Sequence, residues 1–149
     1  MKLYRLGKSK RIADLSGQGG LYFAGRWHRK GTQILYTSEH FSLAKLEVLA
    51  NSDELPTDYF ALTLEVPDTV VCQSIETADL PANWRDLPYP IELPALTDAW
   101  LREQMYWLLR VPSAHSPAEY NYLLNPLHPD HRLLRIVSLE PHPFDSRLK

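Results

Sequence analysis

The sequence predicts a single α+β domain over residues 1–149, with a mixed β-core and flanking helices. A length of 149 residues is that of one ordinary domain, and 44% hydrophobic with 23% charged residues is typical of globular proteins. Segments with the alternation of strands are interspersed with segments that have helical periodicity. No internal repeat, linker or low-complexity tract divides the chain.

Charge and composition exclude several classes of protein. The net charge is −2, from 16 basic and 18 acidic residues, so we expect no direct binding to nucleic acid, which a strongly basic face would indicate. Cys72 is the single cysteine and cannot form an intramolecular disulfide, which fits a reducing cytoplasm. No signal peptide is evident, and no window reaches the roughly 18 apolar residues of a membrane helix. We therefore expect a cytoplasmic protein without membrane contact.

The first half of the chain is predicted to hold three strands and one helix. The strands are Lys2–Leu6, Gln33–Thr37 and Tyr59–Val66. The third alternates apolar and polar residues, as a half-buried strand does. Ser38 is predicted to cap a helix that runs to about Asn51, because a serine oxygen can accept bonds from the free N–H groups of a first turn. The polar segment between Lys8 and Gly20 is predicted to be a loop.

The second half is predicted to contain an irregular connection, two helices and further strands. Prolines interrupt Leu80–Pro94, whereas the apolar residues of Thr97–Arg110 predict a helix. Ser116 and Glu119 fit a capping box, so a short helix is expected to follow and to stop before Asn125 and Pro126. Two further strands are predicted, Thr69–Cys72 before this connection and Leu133–Leu139 near the end of the sequence.

Common catalytic and cofactor motifs are absent. The sequence has no phosphate-binding G-x-x-x-x-G-K-[ST] loop and no G-x-S-x-G nucleophile motif. Residues 17–20 do not fit G-x-G-x-x-G, so a Rossmann-type dinucleotide site is not expected. His128 and His131 could suggest a metal site, but no third ligand recurs nearby. We expect neither a metal nor a resident cofactor.

Glu47 is the first of the polar residues that stand out. At three and four residues along the predicted helix its neighbours are Leu43, Ala44, Ala50 and Asn51. Its carboxylate therefore projects from a largely apolar face, where it needs a partner because an unpaired buried charge is costly. Two interpretations stay open: a structural glutamate, in a salt bridge or at the edge of the apolar face, and a catalytic glutamate that faces a substrate.

Two arginines, a tyrosine and a serine complete the candidate set. Arg26 stands between a glycine and Trp27, and its planar guanidinium suits carboxylates and phosphates, although stacking on Trp27 is an alternative. Arg5 lies within a short apolar strand, as an edge residue or a site residue. Tyr36 precedes the Glu47 helix and either packs in the core or stacks on a flat ligand. Ser113 follows a proline in a predicted loop and has no evident structural role.

These residues, in their order and spacing, resemble the RES-domain family, which is named for its Arg, Glu and Ser. The similarity extends over nearly the whole chain, but residues 55–94 carry no recognisable signature. The one departure is His28, where many members have Asn after the Gly-Arg-Trp motif. The matching segments are residues 3–5, 25–27, 34–38, 42–47, 111–113, 119–129 and 144–148.

The resemblance implies the toxin of a bacterial toxin–antitoxin pair that destroys cellular NAD. It also implies a fold similar to that of ADP-ribosyltransferase toxins, and a partner antitoxin of the Xre helix-turn-helix type. We expect a homodimer or a toxin–antitoxin hetero-oligomer. The family's active-site residues carry over onto Arg5, Arg26, Tyr36, Glu47 and Ser113 of this sequence.

The chemistry of NAD suits these residues. Arg5 and Arg26 are expected to clamp the pyrophosphate, and Tyr36 to stack on nicotinamide. Ser113 is expected to hydrogen-bond the nicotinamide ribose or the amide. Glu47 is expected to stabilise the oxocarbenium-like cation that forms as the nicotinamide–ribose bond breaks. Glu47, Arg26 and Ser113 are thus the predicted catalytic residues.

The acceptor of the ADP-ribosyl group is left open by the sequence. Water would give glycohydrolysis, inorganic phosphate as co-substrate would give phosphorolysis, and a protein side chain would give mono-ADP-ribosylation. A rival of another class is a non-catalytic module that binds a nucleotide or a partner protein.

Overall fold

The centre of the protein is one seven-stranded sheet, seen in a computed structural model that describes residues 1–149. The strands are β1 (Lys2–Lys8), β2 (Leu35–Ser38), β3 (Tyr59–Glu65), β4 (Gln73–Ser74), β5 (Leu108–Pro112), β6 (Tyr120–Leu124) and β7 (Arg135–Pro141). The helices are α1 (Gly19–Tyr22), α2 (Phe41–Ala50) and α3 (Glu92–Glu103). Short 3₁₀ segments occupy Lys10–Ala13, Thr77–Asp79, Pro129–Leu133 and Ser146–Leu148.

The spatial order of the strands is β4-β5-β6-β2-β1-β3-β7. Neighbouring strands are antiparallel except β4 and β5, which are parallel, so the sheet is mixed. β1 pairs along its whole length with β3 but only at Tyr4 and Ser38 with β2. The predicted α+β class with a mixed β-core is confirmed.

Two apolar clusters cover the opposite faces of the sheet. Leu108 and Leu124 belong to the first cluster, whereas their chain neighbours Leu109 and Leu123 belong to the second. Side chains of successive strand residues point to opposite faces, so the two clusters lie on the two sides. The second cluster contains Trp27, Trp84 and Trp100, which cover the sheet with loop and α3 residues.

Helix α2 begins at Phe41, so Ser38 is not its cap. Ser38 is the last residue of β2 and pairs with Tyr4 on one side and Asn121 on the other, which holds it in extended conformation. The N-cap residue is His40. The helix otherwise follows the prediction, and Leu43 is among its buried residues.

The helix predicted over Thr97–Arg110 is wrong at both ends. α3 starts at Glu92 and includes Pro94 in its first turn. The N–H groups of a first turn have no carbonyl partner within the helix, so a proline there loses no hydrogen bond. It stops at Glu103, where Gln104 adopts a left-handed conformation with φ 51°. Residues 108–112 form β5, most of whose residues are buried, so no alternation marks it as a strand.

The short helix expected after the capping-box sequence does not form. Ser116 and Glu119 close a single turn, in which the Glu119 N–H donates to the Ser116 carbonyl at 2.8 Å. Their side chains bond each other at 2.7 Å instead of the backbone. The next residues, with two tyrosines, form strand β6 between β5 and β2.

The remaining predictions differ from the structure by a few residues. No strand forms at Thr69–Cys72, and the short strand β4 follows it at 73–74, whereas the late strand begins two residues after Leu133. The segment expected to be a loop between Lys8 and Gly20 contains the 3₁₀ turn at 10–13 and the start of α1. No helix in this structure combines the length and the apolar character needed to cross a lipid bilayer.

Candidate active site

A cavity of about 450 Å³ opens beside β1, β2 and helix α2. Arg5, Arg26, Tyr36 and Glu47 all line it, although they are far apart in the sequence. The fifth predicted residue, Ser113, does not line the cavity but contacts Glu47, which does. The fold therefore brings together all five candidates.

The carboxylate of Glu47 is held by two side chains through one of its oxygens. Oε1 accepts a bond from Ser113 Oγ at 2.7 Å and another from Asn121 Nδ2 at 2.6 Å. Oε2 lies 3.6 Å from Nε2 of His115, which also lines the cavity. The Glu47 side chain is 26% exposed, so one oxygen is fixed while the other is left for a ligand.

Asn121 was not found by the sequence analysis, yet it orients the carboxylate. It is buried on β6 and pairs in register with Ser38. Ser38 Oγ donates to the side-chain oxygen Oδ1 of Asn121 at 2.7 Å, which turns the side-chain nitrogen Nδ2 towards Glu47. The sheet register thus fixes the donor that holds Glu47.

Ser113 is fully buried, at 0% exposure, and its hydroxyl is occupied by the protein. Its Oγ donates to Glu47 and accepts from the backbone N–H groups of His115 and Ser116, at 3.1 and 3.2 Å. The expectation that Ser113 contacts the ribose or the amide therefore needs correction, because it has no exposed surface for a ligand. In this geometry it positions the Glu47 carboxylate and closes the turn after β5.

Arg26 is anchored to the irregular segment that follows Leu80. Its Nη1 donates to the carbonyl oxygens of Trp84 and Asp86, at 2.7 and 3.2 Å. Its guanidinium lies over the ring of Tyr89, 4.7 Å from the centroid, and not on Trp27. Burial lowers the pKa of Arg26, but a guanidinium remains charged in proteins. The site thus holds a positioned cation whose other N–H groups can reach an anion.

Tyr36, which lines the cavity and is half-buried, is paired with the buried side chain of His28. Nε2 of His28 lies 2.7 Å from the Phe23 carbonyl, which only accepts, so this nitrogen carries the proton. Nδ1 is then an acceptor, and the Tyr36 hydroxyl donates to it at 2.7 Å. Burial lowers the pKa of His28 and raises the pKa of Tyr36, and both remain neutral. The Tyr36 hydroxyl is therefore engaged within the protein, and its ring is the part that can contact a ligand in the cavity.

Gly25 is required by the close approach of this pair. A Cβ at residue 25 would lie 2.8 Å from Cε1 and 2.9 Å from Nδ1 of His28. It would also lie 3.1 Å from the Tyr36 hydroxyl oxygen. The glycine before Arg26 thus lets His28 and Tyr36 meet.

Arg5 reaches the cavity from β1 with few partners of its own. Its Nη1 donates to the carbonyl oxygens of Ile12 and Asp14 at 3.3 and 3.5 Å, which are long bonds. Burial lowers the pKa of Arg5, and the nearby Asp14 carboxylate partly offsets this effect. The site therefore combines two arginines with one carboxylate, which suits a ligand that carries both negative and positive charge.

The structure contains no group of three or more His, Cys, Asp or Glu side chains arranged to hold a metal ion. His131, one of the two histidines considered above, has a structural role. Its Nδ1 accepts from the Trp107 indole at 3.0 Å, and its Nε2 lies 2.7 Å from the Leu15 carbonyl oxygen.

Three contributors to the site were not singled out in the sequence: Asn121, His115 and Tyr89. Each lies in a different segment and becomes relevant only through the pairing of strands or the path of a loop. His28, the partner of Tyr36, was marked in the sequence only by its departure from the family pattern.

Comparisons with known proteins identify the family of this chain. A family model described as the RES domain matches residues 2–145. "Toxin Res" of Photorhabdus laumondii is 35% identical over 153 residues, which cover 99% of this chain and 97% of that protein. "Toxin Res" of Pseudomonas putida is 40% identical, with 91% and 93% covered, and "Prs ADP-ribosylating toxin" of a Sphingobium species is 35% identical, with 91% and 86% covered.

The fold is also similar to a solved structure, that of the M. tuberculosis MbcT–MbcA toxin–antitoxin complex. The TM-score is 0.75, and the similarity covers 95% of this chain and 84% of the other. Sequence identity is 18%, so this comparison supports the fold alone.

Proposed function

Since this chain belongs to the RES domain family, we propose that it is the toxin of a toxin–antitoxin pair and that it breaks the nicotinamide–ribose bond of NAD. One observation carries the proposal. Glu47 is fixed by Ser113 and Asn121 in a cavity that Arg5 and Arg26 make positive. The names of the curated relatives support the toxin role.

The chemistry follows from the charges that develop in the reaction. The bond between the ribose C1′ and the nicotinamide nitrogen breaks, and its electron pair neutralises the positively charged ring. The ribose becomes oxocarbenium-like, and the free oxygen of Glu47 stabilises that charge. No external acid is needed, because nicotinamide leaves as a neutral molecule.

The other residues of the site bind and orient the substrate. Arg5 and Arg26 form charge-assisted hydrogen bonds to the diphosphate, and Arg26 is held for this by Trp84 and Tyr89. The Tyr36 ring packs against the nicotinamide, because its hydroxyl is engaged by His28. Ser113 positions Glu47 and does not itself touch the substrate.

The acceptor distinguishes three versions of the reaction. Water gives ADP-ribose, inorganic phosphate gives ADP-ribose 1″-phosphate, and a protein side chain gives an ADP-ribosylated protein. The name of the Sphingobium relative favours the third as an alternative. Mass spectrometry of NAD reaction products, with and without phosphate and with a host lysate, separates them.

A cellular experiment tests the proposal as a whole. Expression of the chain without a partner should arrest a bacterial host, and NAD should fall before growth stops. Growth arrest at steady NAD would point to a protein target, and unimpaired growth would contradict the toxin role. The proposal places the protein in the cytoplasm, where NAD is available.

An antitoxin is the expected partner, because the similar MbcT structure is a toxin–antitoxin complex. We propose that it is of the Xre helix-turn-helix type and that it forms a hetero-oligomer with the toxin. A homodimer is the alternative assembly. Co-purification with the product of a neighbouring gene, followed by mass measurement of the complex, tests both.

A further inference from the structure

A second cavity, of about 620 Å³, adjoins the first. Arg5 and Tyr36 lie on the walls of both cavities, so the two spaces meet at these side chains. Glu47 lines only the first cavity. The second cavity therefore lacks the carboxylate that we propose stabilises the breaking bond.

The lining of the second cavity is positive. Arg5, Lys8 and Arg11 line it, against Asp14 as the one carboxylate. Neither Lys8 nor Arg11 is within ion-pair distance of a carboxylate. Cations without partners around a concave space attract an anionic ligand.

Arg5 is the cation at the junction, and most of its donors are unused. A guanidinium has five N–H donors. Only Nη1 of Arg5 is bonded, to two carbonyl oxygens at 3.3 and 3.5 Å, although burial lowers the pKa of this side chain. A partly buried cation in this state favours an anion placed between the two cavities.

We propose that the second cavity holds the adenylate half of NAD, with the diphosphate at Arg5. The inference rests on the proposed function, because Glu47 requires the nicotinamide half in the first cavity. NAD consists of two nucleotides joined by an anionic bridge, which matches two cavities joined at a cation. Tyr22 and Phe23 line the second cavity and are 63% and 76% exposed, so they provide aromatic surface for the adenine.

The test compares charge reversal inside and beside the second cavity. Lys8→Glu/Arg11→Glu reverses two lining charges. Lys10→Glu is the matched control, because Lys10 is exposed, belongs to the same 3₁₀ segment as Arg11 and lines neither cavity. We expect the KM for NAD and the inhibition constant of ADP to rise about tenfold in the double variant, with kcat within about twofold. The inhibition constant of nicotinamide, which occupies the first cavity, should not change.

Three outcomes would overturn the proposal: an unchanged inhibition constant for ADP, an equal effect of Lys10→Glu, or a change confined to the dependence on inorganic phosphate. The last would identify a phosphate site instead of an adenylate subsite. Thermal melts check folding, and Lys8→Gln/Arg11→Gln replaces the double variant if it unfolds. Calorimetry of ADP binding to the unmodified protein and the variants needs no turnover, so it tests the subsite even if NAD is not consumed.

Discussion

Replacement of Glu47 by glutamine separates chemistry from structure. Glu47 Oε1 accepts both bonds, from Ser113 and from Asn121. A glutamine with its carbonyl oxygen in that place keeps both donors paired, so we expect the free energy of unfolding to change by less than about 1 kcal/mol. The variant lacks only the negative charge that faces the developing oxocarbenium-like cation.

The loss of one preorganised electrostatic stabiliser is worth about 3 kcal/mol, which corresponds to a fall in kcat of roughly 100-fold or more. The KM for NAD should change little, because the carboxylate acts mainly in the transition state. By contrast, Glu47→Ala would leave the Ser113 hydroxyl and the Asn121 amide unpaired. It should therefore cost about 1–3 kcal/mol of stability for each group as well as activity.

The assay measures nicotinamide release and the melting temperature on the same preparation. Glu76→Gln is the control, because Glu76 also accepts bonds from two side chains, Arg110 at 2.8 Å and Tyr120 at 2.7 Å, but lines neither cavity. We expect Glu76→Gln to keep normal turnover. Near-normal turnover of a well-folded Glu47→Gln variant would refute the reasoning and leave Glu47 a structural role.

Three further variants test other parts of the site. Ser113→Ala should lower kcat about tenfold or more with KM within about twofold, because the variant loosens Glu47 and Ser113 itself does not contact the substrate. A rise in KM at unchanged kcat would instead show that Ser113 contacts the substrate directly. Arg26→Lys should raise the KM for NAD about tenfold, because an ammonium lacks the planar set of donors of a guanidinium and its stacking on Tyr89. Unchanged kinetics would mean that the site needs only a positive charge at this position. Burial lowers the pKa of His28, so the unfolded state takes up its proton first and stability should fall as pH drops below about 6.5. In denaturant titrations at pH 7.5 and 5.0, the free energy of unfolding of His28→Gln should fall less between the two pH values than that of the unmodified protein. An equal fall would exclude His28 as a cause of the pH dependence.

The elements that were predicted well are those with one exposed and one buried side. In β3 the buried Leu62 and Leu64 alternate with less buried neighbours, and in α2 Leu43 and Ala44 are buried whereas Ser42 and Leu46 are exposed. β5 was missed because most of its residues are buried, and Leu108 also fits the helical pattern predicted for Thr97–Arg110. β6 was missed because the local signal of Ser116 and Glu119 describes only one turn, whereas pairing with β5 and β2 determines the next residues.

The candidate site was predicted in its members but not in its arrangement. Glu47 was expected to need a partner, and the structure supplies two, of which Asn121 depends on strand register. The role of Ser113 likewise depends on contact with the distant Glu47. His28 instead contacts Phe23 and Tyr36, which are near it in the sequence, and the path of the loop between them brings these groups together. Arg5 was considered an edge or site residue, and its position between two cavities became visible only in three dimensions.

The most direct test of the central claim is the release of nicotinamide from NAD by the purified protein. Chromatography should detect nicotinamide and an ADP-ribosyl product in equal amounts when the unmodified protein is incubated with NAD, with or without phosphate and a host lysate. The Glu47→Gln variant should release at most about one hundredth as much in the same time. NAD that stays intact with the unmodified protein under all of these conditions would contradict the claim and favour a module that binds a nucleotide without cleaving it.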